Sequence, residues 1–367
     1  MGAGLNIGLI DVDGHNFPNL PLMKLSAWHK QQGDTVVWYE PLLHGFPNNP
    51  LDKVYISKVF SFTPDYSYHV NAKEVIKGGS GYCISLVDGI EIFDKSKEIE
   101  LPKEIETIYP DYRIYYEKIP EVRNTAYGFL TRGCPYGYNP NNPINDNAHN
   151  YCHVSVKEGF CSHKVANLNS FWRGQKNIVL LDANITVCKE WKELFQQLVD
   201  SKAWIDFSQG LDIHVMTEEK AEMIKQMNVN NIHFAWDRYR DKSLVLPRFK
   251  MFKEITGLGY QNLTVYMLTN FDTSIEEDLE RIYTLRDLGF NPYVMIYNKN
   301  EFVDCDKNGK PVKLKPENVL LEKYSKERIE HFNVCWKIQR WVNNRIIFRS
   351  CHKFEEYDQS RRKGKAG

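Results

Sequence analysis

The sequence predicts an α/β chain in two parts, a small doubly wound sheet followed by a longer βα series that curls towards a barrel. Three observations predict it. Short apolar, β-rich runs recur along the 367 residues. Segments with helical spacing of apolar residues separate them. Several runs end in Gly or Asp, which suit the turn that leaves a strand and starts a helix. Continuous rather than alternating apolar runs mark strands buried on both faces, as in parallel sheets.

The first part opens with NIGLIDVDG (residues 6–14), an apolar run closing on acidic and glycine residues. In the helix that follows, Leu22, Leu25, Trp28 and His29 share a face, and Gly33 stands where a helix stops. TVVWYEP, KVYISKVFSF (53–62) and EVIKGGSGY (74–82) supply three more strands, the last opening into a glycine turn. The stretch KSKEIELPKEIETIYPDYRIY is polar and punctuated by proline, so a domain boundary is placed near residue 120.

From Thr125 a second series begins. Its strands are TAYGFLTRG, NIVLLDANI (177–185), AWIDFSQGLD (203–212), NIHFAWD (231–237), LTVYMLTNF (263–271) and NPYVMIYNK (291–299). Between the later ones lie EWKELFQQLVDS, TEEKAEMIKQM, PRFKMFKEITGLG and SIEEDLERIYTLRDLG; in the last, Leu279, Ile282, Tyr283 and Leu285–Leu288 form the apolar side and the charges are expected elsewhere. Strands separated by helices of about 10–15 residues imply parallel βαβ units, and six of them imply a partial (β/α)6 TIM-like barrel. The expected division is a Rossmann-like doubly wound domain over residues 1–120, a barrel over 121–300, and a C-terminal helical extension with a basic tail over 301–367. Asp182, Gln209, Asp237, Asn270 and Asn298 fall at C-terminal strand ends, the edge where such folds bind ligands, although polar residues there also cap helices.

Lys+Arg and Asp+Glu both number 47, so no net charge steers the chain onto nucleic acid or an anionic membrane. The basic run Arg361-Arg362-Lys363-Gly364-Lys365 is read as a solvated end. No stretch of about 18 apolar residues marks a membrane span. The start MGAGLNIGLIDVDGH is too short and acidic for a signal peptide, and Asn6 breaks the myristoylation pattern, so a cytoplasmic protein is expected.

The eight cysteines are not expected to form a disulfide framework in that compartment. Three of them, Cys134, Cys152 and Cys161, fall in LTRGCPYGYNPNNPINDNAHNYCHVSVKEGFCSHK, directly after the first strand of the second series, with His149, His153 and His163 near. Thiolates are soft ligands suited to iron–sulfur clusters or zinc. A Cys3His set also suits structural zinc, which would fasten the loop without catalysis in a non-catalytic barrel, although no short C-x2-C pair is present. Cys83, Cys188, Cys305, Cys335 and Cys351 stand apart and read as ordinary thiols.

TRGCP closing a strand, a cysteine-bearing loop and EGFCS resemble a radical S-adenosylmethionine (radical SAM) family of bacteria and phages. So do FWRGQKNIVLLDANI, WIDFSQGLDIHVMTEE, IHFAWD, VYMLTNFDT, DLGFNPYVMIYNK and RWVNNRIIFRSC, as well as the N-terminal IGLIDVDGHNFPNLPLMKLSAWHKQQGDTVVWY and KVFSFTPDY. The resemblance runs from about Ile7 to Glu356. It implies a [4Fe–4S] cluster held by three cysteines, usually C-x3-C-x2-C, with SAM chelating the fourth iron and being cleaved reductively to a 5′-deoxyadenosyl radical. It also implies a reductant such as a flavodoxin or ferredoxin. This sequence departs from the motif. Cys134 matches the first ligand, but Tyr138 stands where the second belongs and an Asn- and Pro-rich insertion follows. Cys152 matches the third, and Cys161 an additional cysteine. Three readings remain open: Cys134, His149 and Cys152 as ligands; Cys134, Cys152 and Cys161 as ligands; or a lost cluster.

The resemblance further implies that SAM meets the strand ends, with Asp182 and Asn184 near the cluster loop, Gln209 and Asp212 from the third strand, Trp236 and Asp237 from the fourth, and Asn270 and Tyr297 beyond. Arg132 and Arg173 are read as partners for the SAM carboxylate or as plain ion pairs. The first domain resembles the cobalamin-binding domain that precedes many such barrels. Asp13-Gly14-His15 looks like the start of D-x-H-x-x-G, but Pro18 replaces the glycine that lets backbone approach the ligand, so cobalamin is not expected. The turn Gly78–Gly81 is a weak candidate for cradling a phosphate.

Overall fold

The computed structural model describes residues 4–14, 16–87, 90–137, 152–306 and 311–363. The chain divides into two compact units, residues 1–203 and 204–367.

In the first unit, strands β1 (Asn6–Asp11), β2 (Thr35–Trp38), β3 (Leu51–Ser57) and β4 (Ala72–Gly78) form a parallel sheet in the order β2-β1-β3-β4. The helix Leu20–Gln31 returns the chain from β1 to β2, capped by Asn19, whose side chain accepts from the Leu22 N–H. It buries Leu22, Leu25 and His29 as its spacing predicts, and Leu22 and Leu25 pack with Ile7, Leu9 and Ile105. The connection from β3 to β4 carries no helix, in keeping with the order of the runs. A hairpin, β5 (Ile84–Val87) and β6 (Ile90–Phe93), follows. Then come β7 (Thr125–Gly128), the short antiparallel pair β8 (Thr131–Arg132) and β9 (His163–Lys164), and β10 (Asn177–Leu180), which is parallel to β7.

In the second unit, β11 (Trp204–Phe207), β12 (Asn228–Ala235), β13 (Leu263–Thr269) and β14 (Asn291–Ile296) lie parallel and in sequence order. The helices Glu218–Lys225, Lys242–Thr256 and Ile275–Asp287 alternate with them, as their periodicity predicts. The last begins with a capping box between Ser274 and Glu277. The larger sheet has the order β14-β13-β12-β11-β10-β7, and β7 and β14 are its free ends. It is therefore an open parallel sheet; no closed barrel is found among the described residues. The helix Lys326–Val342 satisfies the outer edge of β14. Asn343 Oδ1 accepts from the Val294 N–H at 2.8 Å, and Gln339 Nε2 donates to the Val294 carbonyl at 2.9 Å. No described helix is long and apolar enough to cross a membrane.

One expectation is corrected within the helix Ile275–Asp287. Its buried face includes Asp278 and Arg281 beside Ile282 and Leu285. Arg281 is fully buried because it closes strand ends. Its Nη1 donates to the carbonyls of Trp236 and Asp237 at 2.6 and 2.8 Å, and its Nη2 to that of Leu268 at 2.9 Å. Asp278 pairs with it.

Candidate metal and cofactor site

The cysteine loop is built from its ends inward. The β8–β9 ladder pairs Thr131 with Lys164 and Arg132 with His163, so the segment leaves and returns at one place. Gly133 adopts φ 87°, and a Cβ there would run into the Cys161 carbonyl oxygen, so the close approach of the two ends demands glycine. The short helix Val154–Glu158 then fastens the Cys134 strand. Ser155 Oγ donates to the Cys134 carbonyl at 2.5 Å and accepts from the Gly137 N–H at 2.8 Å. The Cys134 N–H donates to the Gly159 carbonyl at 3.1 Å. Glu158 takes Arg132 Nη1 at 2.9 Å and the Gly133 N–H at 3.2 Å. Cys152 stands just before this helix and Cys161 just after it, so the backbone of all three cysteines is drawn to one turn of structure.

The side chains are a separate matter. Cys134 and Cys152 are half-buried and Cys161 is exposed. Among the described residues no three His, Cys, Asp or Glu side chains stand grouped as a metal-holding set. His149 and Tyr138 lie outside the described residues, and so does His15 of the cobalamin-like motif. Cys188, set apart in the sequence, is buried. Its Sγ donates to Glu190 Oε2 at 3.2 Å. Burial pushes its thiol up to about 11, which favours the thiol over a thiolate ligand.

Asp182, just past the end of β10, is buried and braces the approach to the loop. Its Oδ1 accepts from the Leu130 N–H at 3.0 Å, the Thr131 N–H at 2.5 Å and Thr131 Oγ1 at 2.7 Å. Burial outweighs these bonds and pushes its carboxyl up to about 6. Asn184 places Nδ2 4.0 Å from Cys134 Sγ and accepts from Thr186 Oγ1. Arg132 bridges Glu158 and, at 3.6 Å, Glu106; Arg173 lies over the Tyr109 ring at 3.8 Å. Both arginines therefore have partners inside the protein.

In the second unit, Gln209 is exposed on the loop after β11. Asp212 caps the turn Ile213–Val215 and holds His214 Nδ1 at 3.0 Å, while Asp241 holds His214 Nε2 at 3.2 Å. The bond to Asp212 is the main reason the His214 pKa is raised. Trp236 is 0% exposed, and its indole N–H donates to the Arg238 carbonyl at 3.0 Å. Asp237 Oδ1 accepts from the Leu268 N–H at 2.9 Å. Asn270 is fully buried with φ 63°; its Nδ2 donates to the Tyr297 carbonyl at 2.9 Å, and its Oδ1 has no partner. The predicted residues thus do sit at strand ends, with protein partners for most of their polar atoms. Sequence reasoning missed Ser155, Glu158 and Arg281, the side chains that hold these ends; only the EG step before Cys161 hinted at the second.

In the first unit, Asp13 is occupied by the Thr63 hydroxyl at 2.8 Å and the Val59 N–H at 2.5 Å. In the Gly78–Gly81 turn, the Gly81 N–H already donates to the Lys58 carbonyl at 3.0 Å.

This architecture matches a solved enzyme. The radical S-adenosylmethionine methyltransferase TsrM from Kitasatospora setae, determined with cobalamin and a [4Fe-4S] cluster bound, aligns over 89% of this chain and 84% of its own, with a TM-score of 0.52 and 10% sequence identity. The two chains share a fold. No protein-family model matches this chain, and neither does any curated protein. Because the TsrM structure carries cobalamin, the fold lends no support to the expectation that cobalamin is absent here.

Proposed function

We propose that this chain is a radical SAM enzyme whose cluster is held by Cys134, Cys152 and a third ligand from His149 or Cys161. The observation that carries the reading is the cysteine loop: it emerges beyond β7, is closed by the β8–β9 ladder, and belongs to a fold shared with a radical SAM methyltransferase. The donor chemistry fits, since three thiols on one closed loop are a set that iron–sulfur clusters prefer. When bound, such a cluster supplies an open iron position for the amino and carboxylate groups of SAM and the electron that opens its sulfonium. The protein's own part is positional. Ser155 and Glu158 hold the Cys134 strand, and Asp182 fixes the turn before it. In this reading residues 1–120 are a cobalamin-binding-like domain, 121–300 the SAM-binding region and 301–367 an extension, and a flavodoxin or ferredoxin donates the electron.

Anaerobic purification with iron and sulfide tests it. The wild-type chain is expected to be brown, to hold about four irons, and to convert SAM to 5′-deoxyadenosine. Cys134→Ala and Cys152→Ala are expected to lose the iron, and comparing His149→Ala with Cys161→Ala identifies the third ligand. A colourless protein with stoichiometric zinc would sink the reading in favour of a structural loop. Adding hydroxocobalamin before gel filtration shows whether the first domain retains a corrinoid.

A further inference from the structure

Parallel sheets are ordinarily apolar on both faces because both are covered. The strands β11–β14 obey this on one face only. Ile205, Phe207, Ile232, Phe234, Val265, Met267 and Val294 are all buried there. The opposite face carries Asp206, His233, Tyr266 and Tyr293, one from each successive strand. The register fixes them together: Asp206 pairs with Asn231, two residues before His233, and Tyr266 pairs with Tyr293. The His233 ring stacks on Tyr266 with centroids 5.0 Å apart and planes 3° apart, and Tyr293 meets Tyr266 edge-on at 5.6 Å. At the margins of this face, Trp204 is 45%, Tyr293 44% and Met295 46% exposed.

His233 Nδ1 lies 3.1 Å from the Phe207 carbonyl, so it carries the proton, and Nε2 accepts from Asn231 Nδ2 at 3.1 Å. Asp206 Oδ1 is buried and meets no donor. Burial raises the pKa of this carboxyl, and the nearby His233 only partly offsets it. An acceptor kept without a donor costs stability, and such atoms concentrate where a ligand completes them.

We infer that this face of β11–β14 binds a planar nitrogen heterocycle of nucleobase size, whose ring N–H donates to Asp206 while its face packs on the exposed Tyr293 ring. The inference rests on the proposed function only in taking that heterocycle for the substrate, or the part of it that is recognised. Binding itself needs neither cluster nor SAM.

The full chain, free of iron, is titrated with adenine, guanine and cytosine by saturation-transfer NMR and by quenching of tryptophan fluorescence. At least one base is expected to bind with a Kd below about 1 mM, and toluene, which lacks a ring N–H, is not. Asp206→Asn is expected to weaken that binding by about tenfold or more, while its melting temperature rises. Tyr293→Leu, at an exposed position, is expected to weaken binding without lowering the melting temperature. If no base binds, or Asp206→Asn binds as the wild type does, or Asp206→Asn melts lower, the face is structural and the inference is overturned. Iron content is measured on separate reconstituted samples, so loss of base binding and loss of the cluster are told apart.

Discussion

Asp182 and Asn270 stand just beyond two strands, β10 and β13, and the sequence treats them alike. Their surroundings do not. Asp182 takes three donors from the Leu130–Thr131 turn on a single oxygen, whereas Asn270 donates once to Tyr297 and keeps a buried oxygen with no partner. The first residue is a brace that fixes the approach to the cysteine loop. The second stands in a left-handed backbone conformation, which asparagine tolerates better than other non-glycine residues. A polar residue at a strand end is therefore weak evidence for ligand contact until its donors and acceptors have been counted.

Substitutions sharpen the contrast. The largest effect is expected from Asp182→Ala, which strands two backbone N–H groups and a hydroxyl; a loss of about 3 kcal/mol in denaturant unfolding is expected. Asp182 also leaves a signature in pH. Its folded pKa, about 6, lies above the usual aspartate range. The folded chain therefore holds this proton where the unfolded chain releases it. The contribution is full below pH ~4 and falls away as pH rises through about 6, by roughly 3 kcal/mol in all. Asp182→Asn should flatten that part of the stability profile, and an unchanged slope would place the titration elsewhere. Asn270→Ala should cost less, about 1–2 kcal/mol, from one lost hydrogen bond and added backbone strain. Asn270→Gly, which adds no such strain, should cost less than Asn270→Ala. If Asn270→Ala proved as damaging as Asp182→Ala, the distinction between brace and strained residue would fail. The smallest effect is expected at Arg173, whose contact with the Tyr109 ring is exposed: Arg173→Ala should change stability by about 0.5 kcal/mol and leave SAM affinity unchanged.

Much of this was legible in the sequence. The apolar runs located β1–β4, β7 and β10–β14, and the helices between them followed from spacing. Closure was not legible, because nothing in the composition of β7 or β14 distinguishes a free end from a joined one. The helix Ile275–Asp287 misled for a different reason. Periodicity assigns charges to solvent, but Arg281 is drawn inward by three strand-end carbonyls that no local pattern encodes. At the cysteine loop, the sequence located the thiols but not Ser155 or Glu158, whose roles depend on a helix of only five residues. The alternation on β11–β14 was visible as letters, yet its meaning appeared only when the register aligned Asp206, His233, Tyr266 and Tyr293.

The β8–β9 ladder has one more implication. Main-chain hydrogen bonds, a glycine and the Ser155 and Glu158 side chains bring the two ends of the cysteine segment together. The number of residues between Gly137 and Cys152 can therefore grow or shrink over generations without shifting where Cys134 and Cys161 emerge. An insertion at that point therefore leaves the anchorage of the segment intact.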